Sequence, residues 1–375
     1  VLTPLDESPW HQLPTTFDHV ATSDPRFFDR LWFAASDRRG ESALQFTLGV
    51  YQNMNVVDGG FVAIVDGRQH NLRVSRQLRP RYVHDCGPLA IDTVEPLNRL
   101  RLLIAPNASG LSGELEWSGI IPAHEERHHF KRTRGREVEN YSRYDQIGEC
   151  SGWLKVGDTS IDLNSWWACR DHSWGVREMV GIPEPRTGSL PSTPGGAAFG
   201  FLFFSTPTHA GHVQFHHRAD GDRHLTAQII DRASLSAVAG QQIEVDAQFV
   251  DDERPRRVRQ ATFEVGTDDG QLVRFEVEAQ GPAVAMQGLG YGGYDDGLGL
   301  GVWRGPAHQE SDVWDVAHAA EVRHSDGTVV RPVHRIQPVR LVQHDRNGVS
   351  HGTGSLTFIA ELPLDEDGHL RLRDA

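Results

Sequence analysis

Residues 166–178 read WWACRDHSWGVRE and place three tryptophans, an Arg-Asp-His triplet and a second arginine within thirteen positions. Large rings beside charged groups suit acid–base chemistry. An apolar wall raises a carboxyl pKa until a proton is on offer near neutrality, and nearby cations hold or tune the carboxylate. Asp171 is the candidate acid, His172 a proton shuttle or water-orienting group, and Arg170 and Arg177 its cationic neighbours. Trp167 and Trp174 supply the wall. If the stretch is extended, Trp166, Ala168, Arg170, His172 and Trp174 share one face, and Trp167, Cys169, Asp171 and Ser173 share the other. Asp171 and His172 then do not touch, unless Gly175 bends the strand and brings Arg177 to Asp171. A second arrangement fits the same residues: Arg170 and Arg177 pair with Asp171 and Glu178 at a domain junction, and the tryptophans are core.

The elements that must carry this stretch are strands. Apolar residues alternate at Leu44/Phe46/Leu48/Val50, Leu100/Leu102/Ile104, Leu111/Leu115/Trp117, Phe199/Phe201/Phe203, Ile243/Val245/Ala247/Phe249 and Phe263/Val265, the period of half-buried β structure. Asp66-Gly67, Gly157-Asp158, Asp269-Gly270 and Asp326-Gly327 read as hairpin turns between them. Short helices are expected over Pro25–Ala35 and Ser311–Val322. Residues 181–196 contain four prolines and four glycines and mark a boundary. The expected fold is all-β, with two consecutive barrel or sandwich domains over residues 1–185 and 186–375 and the motif at their junction, where ligand sites are common.

Composition narrows the function. The 375 residues carry a net charge of −14, with acids and bases interspersed, which disfavours a polyphosphate partner such as nucleic acid. No run approaches the ~20 apolar residues of a membrane-crossing helix. Cys86, Cys150 and Cys169 lack a CxxC spacing and read as free thiols in a reducing compartment. No secretory leader is recognisable before VLTPL, and a cytoplasmic location is expected.

The motif W-x-x-R-D-H-S-W-G-x-R, formed by Trp167, Arg170, Asp171, His172, Ser173, Trp174, Gly175 and Arg177, resembles that of the lipocalin-like superfamily of carotenoid 1,2-hydratases (hydroxyneurosporene synthases). Its relatives include the AttH-like proteins and the decalin-forming Diels–Alderases. The resemblance implies two calycin-type barrels with a pocket at or near their interface. For the hydratase branch it implies protonation of a carbon–carbon double bond followed by addition of water, a lyase chemistry. For the pericyclase branch it implies a shaped apolar pocket with one or two hydrogen-bond donors.

Other segments offer further candidates. The glycine-rich run 288–305 presents Tyr291, Tyr294 and Trp303 as pocket rings, or a bent strand pair at a barrel corner. Tyr51 and Asn53, in YQNMN, can orient a ligand or form a hairpin turn. Asp295 and Asp296 read as turn caps. The mixed-charge run 124–137 reads as an exposed loop or edge strand. His209, His212, His216 and His217 read as solvated strand histidines: His212 and His216 stand ~13 Å apart along an extended chain, too far for one ion. No metal ligand set and no cofactor are expected, and no GxSxG elbow or catalytic Cys–His signature is present. The expected guest is a hydrophobic small molecule, a terpenoid, polyketide or aromatic compound, and a non-catalytic carrier of such a molecule is the alternative.

Overall fold

Nearly every alternating segment is a strand in the computed structural model of the chain, which describes all residues except 8, 10, 134, 182–195, 220, 222, 251–253, 292–297, 318–320, 324–328 and 374–375. The first half supplies β1 (Phe27–Ser36), β2 (Ala43–Tyr51), β3 (Val56–Val65), β4 (Arg68–Gln77), β5 (Asp85–Cys86), β6 (Leu89–Glu95), β7 (Arg99–Ile104), β8 (Leu111–Gly119), β9 (His124–Glu125), β10 (His129–Thr133), β11 (Arg136–Val156) and β12 (Thr159–Val176). The second half supplies β13 (Ala197–Ser205), β14 (His209–Arg218), β15 (Arg223–Asp231), β16 (Ala237–Phe249), β17 (Val258–Thr267), β18 (Leu272–Ala279) and β19 (Val284–Ala285). It ends with β20 (Ala307–Asp315), β21 (Val322–Arg323), β22 (Val329–Val330), β23 (Arg335–Asp345), β24 (Gly348–Ala360) and β25 (His369–Leu372).

Two domains result. The second is a closed antiparallel barrel, β13-β14-β15-β16-β17-β18-β23-β24, with β24 back on β13 and β15 closing on β16; closure leaves no unpaired edge. The first is a curled sheet in the order β5-β6-β7-β8-β11-β12-β1-β2-β3-β4. β20, β21 and β22 extend this sheet beyond β4 although they come from the second half of the chain. The division at 185/186 thus falls in residues outside the described ones, and the strands after it are shared between both sheets.

Neither expected helix is helical where described: β1 covers 27–35 and β20 covers 311–315. β1 lies centrally between β12 and β2 and is buried on both faces, so its near-continuous apolar run FFDRLWFAA lost the alternation that marks a strand. β20 pairs along its length with β4, and its even-numbered side chains turn toward that strand's polar row. Three hairpin readings hold: Asp66-Gly67, Gly157-Asp158 and Asp269-Gly270 link β3–β4, β11–β12 and β17–β18. Asp66 and Gly67 both have positive φ, 51° and 71°, as a tight two-residue hairpin requires. Asp326-Gly327 lies outside the described residues.

Burial sorts into three large cores and a smaller cluster of Phe28, Tyr51, Val56, Val180 and Leu300. One fills the concave side of the first sheet, with Phe33, Phe46, Phe61, Leu115 and Trp117. A second fills the barrel, with Phe204, Phe215, Phe263 and Phe275. The third joins the domains: Trp32, Trp167 and Cys169 of the first sheet meet Phe201, Phe203 and Ile336 of the second. The three cysteines are buried and free. Among the described residues no helix is long and apolar enough to cross a membrane.

Candidate functional site

The motif strand β12 runs between β1 and β11, and its two faces look into different surroundings. Asp171 stands opposite Trp32 on β1 and Asp145 on β11. With Trp167, Cys169, Arg30, Arg143 and Tyr141 it shares the face turned to the second domain. Arg170, His172 and Trp174 point the other way, toward the concave side of the first sheet, as the two-residue period requires.

On that concave side Arg170 is 1% exposed. Its Nε and Nη2 donate to Gln146 Oε1 at 3.1 and 2.7 Å, and its guanidinium lies 4.7 Å from the Trp117 ring and 5.1 Å from that of Tyr144. His172 Nε2 donates to Asp29 Oδ1 at 2.7 Å, and Nδ1 lies 3.2 Å from the Tyr144 hydroxyl. Trp174 packs edge-on against both rings and is exposed. This His–Asp pair sits at an open rim, since half of the Asp29 side chain faces solvent, and solvent weakens such a pair.

Asp171 is set differently. Its carboxyl has no hydrogen bond or ion pair among the described residues, so the junction ion pair that fitted the sequence is not formed. Some of its surface stays open, yet surrounding protein pushes its pKa up by desolvation. Arg143 and Arg177 pull it down, Glu126 pushes it further up, and His172 pulls it down. Asp171 is thus crowded by protein and still partly accessible. The same combination holds for His334, whose neutral form burial favours, lowering its pKa to about 4 with Arg177 adding to the effect. Burial likewise raises the Tyr141 phenol.

These groups form one neighbourhood. Arg177, just past the end of β12, lies 4.4 Å over the Phe28 ring and makes no ion pair among the described residues. Tyr291 packs edge-on against His334, with centroids 6.0 Å apart, and its hydroxyl accepts from Arg30 Nε at 3.2 Å. Arg30, 1% exposed, also donates to Tyr51 and, at 2.7 Å, to Asp58. Gly301 N–H donates to the other Asp58 oxygen at 2.6 Å. Gly175, at φ 135°, lets β11 pass close: a Cβ there would stand 2.3 Å from the Asn140 carbonyl oxygen.

The remaining expected ligand residues are spread out. Tyr51 is fully buried behind Arg30. Asn53 is exposed in a short turn, donating to the Thr22 and Asp24 carbonyls at 2.8 and 2.9 Å. Trp303 is exposed. Tyr294, Asp295 and Asp296 lie outside the described residues. Trp167 lines a dent of only about 10 Å³ at the interface, with Ala34, Val284 and Ile336.

Two expectations of exposure hold only in part, since most of the run 124–137 is exposed around β9 and β10. In the run 124–137, Glu126 and His129 are 4% and 8% exposed, because Arg143 and the second domain cover them: His129 stacks on Tyr141 at 4.4 Å and meets His224 at 5.0 Å. His212 is 2% exposed and stacks on His124 at 5.5 Å. Arg143, His334, Trp32 and Glu126 were not identified from the sequence. They come from four separate segments, and none stands in a motif.

Residues 2–355 match a protein family described as a family of unknown function (DUF8625). No curated protein matches the chain. Similar solved structures include CghA, with 10% identity, 90% of this chain and 89% of that chain covered and a TM-score of 0.50. CghA with Sch210972 has 9% identity, the same coverage and a TM-score of 0.51. Kievitone hydratase from Nectria haematococca has 8% identity, 88% of each chain covered and a TM-score of 0.48. The fold, two lipocalin-like β domains, is shared with CghA.

Proposed function

The chain belongs to the family of unknown function DUF8625, and from that premise we propose that it is a lyase adding or removing water at a carbon–carbon double bond of a hydrophobic small molecule. The guest lies in a recess between the first sheet and the barrel. The observation that carries this reading is Asp171: a carboxyl group without a partner among the described residues, enclosed by protein, partly accessible and flanked by Trp32. Such a group delivers a proton to carbon and recovers it from the attacking water.

The surroundings divide the remaining work. The cations Arg143 and Arg177 hold the Asp171 carboxylate once its proton has left. His334, neutral and partly open, orients the water whose proton returns to Asp171. Tyr141 and Trp32 turn π faces toward developing positive charge. His172 and Arg170 act from the opposite face of β12, by fixing the strand through Asp29 and Gln146. The similarly folded CghA was solved with Sch210972, in keeping with a fold that takes up a guest.

Asp171→Asn should fold normally and lower turnover by ~10² or more. The assay is mass spectrometry of candidate terpenoid, polyketide and aromatic alkenes after incubation with the protein. A gain or loss of one water, abolished in Asp171→Asn, supports the reading. A new product of unchanged mass makes the protein an isomerase or pericyclase, and binding without conversion makes it a carrier; either result overturns the lyase assignment.

A further inference from the structure

A second polar cluster lies beside the recess and takes no part in the chemistry above. Glu126 from the loop between β9 and β10, Asp145 on β11 and His212 on β14 each bring one ligand atom to within 4.8 Å of the others. They are 4%, 3% and 2% exposed. Two come from the first domain and one from the barrel.

Glu126 and His212 are held from behind, as metal ligands are by their outer partners. Glu126 Oε2 accepts from Arg143 Nη2 and His129 Nε2, both at 2.7 Å, which turns Oε1 into the cluster. His212 Nε2 lies 3.5 Å from the Thr226 hydroxyl, and Nδ1 faces Asp145 Oδ2 at 3.7 Å. Arg143 Nε stops 3.8 Å from Asp145 Oδ1, beyond a hydrogen bond. As a result Glu126 Oε1 and both Asp145 oxygens are buried with no hydrogen-bond partner. Three such buried oxygens facing one another, with Arg143 to one side, are costly unless a proton or a cation lies between them.

We propose that Glu126, Asp145 and His212 bind a divalent cation of the zinc class that clamps the barrel to the first sheet. Two carboxylates and an imidazole suit zinc or manganese. Ligand atoms ~2.0–2.1 Å from a tetrahedral ion stand roughly 3.4 Å apart, so the present spread of up to 4.8 Å closes with a contraction of at most about 1.4 Å. The burial of all three ligands assigns the ion a structural role. The inference is independent of the lyase reading, and its test does not use activity.

Metal-stripped full-length protein is titrated with CoCl₂, followed by visible absorption, and with ZnCl₂, followed by calorimetry and thermal melting. The expected result is one equivalent of cobalt giving a ligand-field band, displacement by zinc, and a higher Tm with zinc bound. Asp145→Asn and His212→Gln should lose the band, whereas His216→Ala, on the same strand, should keep it. Absence of both band and heat in the wild-type protein at roughly 1 mM cation overturns the proposal, and points to a proton shared by the two carboxyls. Undiminished bands in both Asp145→Asn and His212→Gln overturn it as well. Should those variants fail to fold, the wild-type titration decides.

Discussion

At the scale of single residues, charge placement decides what the recess can do. Arg30 and Asp58 are both buried, at 1% and 0% exposure, and meet at 2.7 Å behind Tyr291. Removing one partner of such a pair strands the other charge in a poorly solvated place, at a cost of about 3–5 kcal/mol. Asp58→Ala should therefore lower the denaturant midpoint markedly. Arg30→Met/Asp58→Ala should cost less than the sum of the two single changes, because the stranded charge is gone. Additive effects in that double-mutant cycle would mean that the pair is uncoupled. The contiguous part of the site, Asp171 with Arg177 just past the end of its strand, is legible in the sequence because both sit in one motif. The two-residue period of an extended chain is enough to set Asp171 on the opposite face from Arg170 and His172. Arg143 and His334 are not legible in this way: their relevance arises from pairing across strands and across domains, which no local spacing encodes.

At the scale of elements, alternation was readable in strands with one polar face, as in β7, β8, β16 and β17. It failed in β1, with its apolar run on both faces, and where polar residues turn inward. β20 is the second kind. Its Glu310 and Asp312 reach across to Arg73 on β4, 2% exposed, at 2.5 and 2.9 Å, and Asp312 also accepts from Asn71 at 2.6 Å. A polar row of this sort reads as surface in the sequence and proves to be a cross-strand network. It also explains how a strand from the second half can add to the first sheet: its acids meet a buried cation already in place. Asp312→Ala should cost about 1–3 kcal/mol by leaving Arg73 and Asn71 short of an acceptor. Amide hydrogen exchange should accelerate over residues 307–315 and along their partners in β4, with β13–β18 unaffected. Unchanged exchange over 307–315 would show that backbone pairing alone holds β20.

At the scale of the whole molecule, burial of histidines couples folding to pH. The layout of two β domains followed from turn signals and strand periods, whereas the return of β20–β22 to the first sheet is a long-range choice that those local patterns do not carry. Packing encloses His84, near Asp29 and His172, and His334, against Tyr291, and desolvation lowers both to about 4, against ~6.5 in an unfolded chain. Between these values the unfolded state binds more protons than the folded one, so stability rises with pH in that window. The contribution of the two histidines is complete above about pH 6.5 and is lost as pH falls through about 4. Asp171 works in the opposite direction: its raised pKa favours the folded state at low pH and loses that contribution as pH rises. The net curve is therefore a contest, and the histidine part is isolated by difference. Unfolding free energies of the wild-type protein and of His84→Gln/His334→Gln should diverge steadily as pH rises from about 4 to 6.5 and run parallel above it. Parallel curves throughout would mean that both imidazoles take up protons in the folded protein as freely as in the unfolded chain, and the recess around His334 would then be far wetter than its packing against Tyr291 implies.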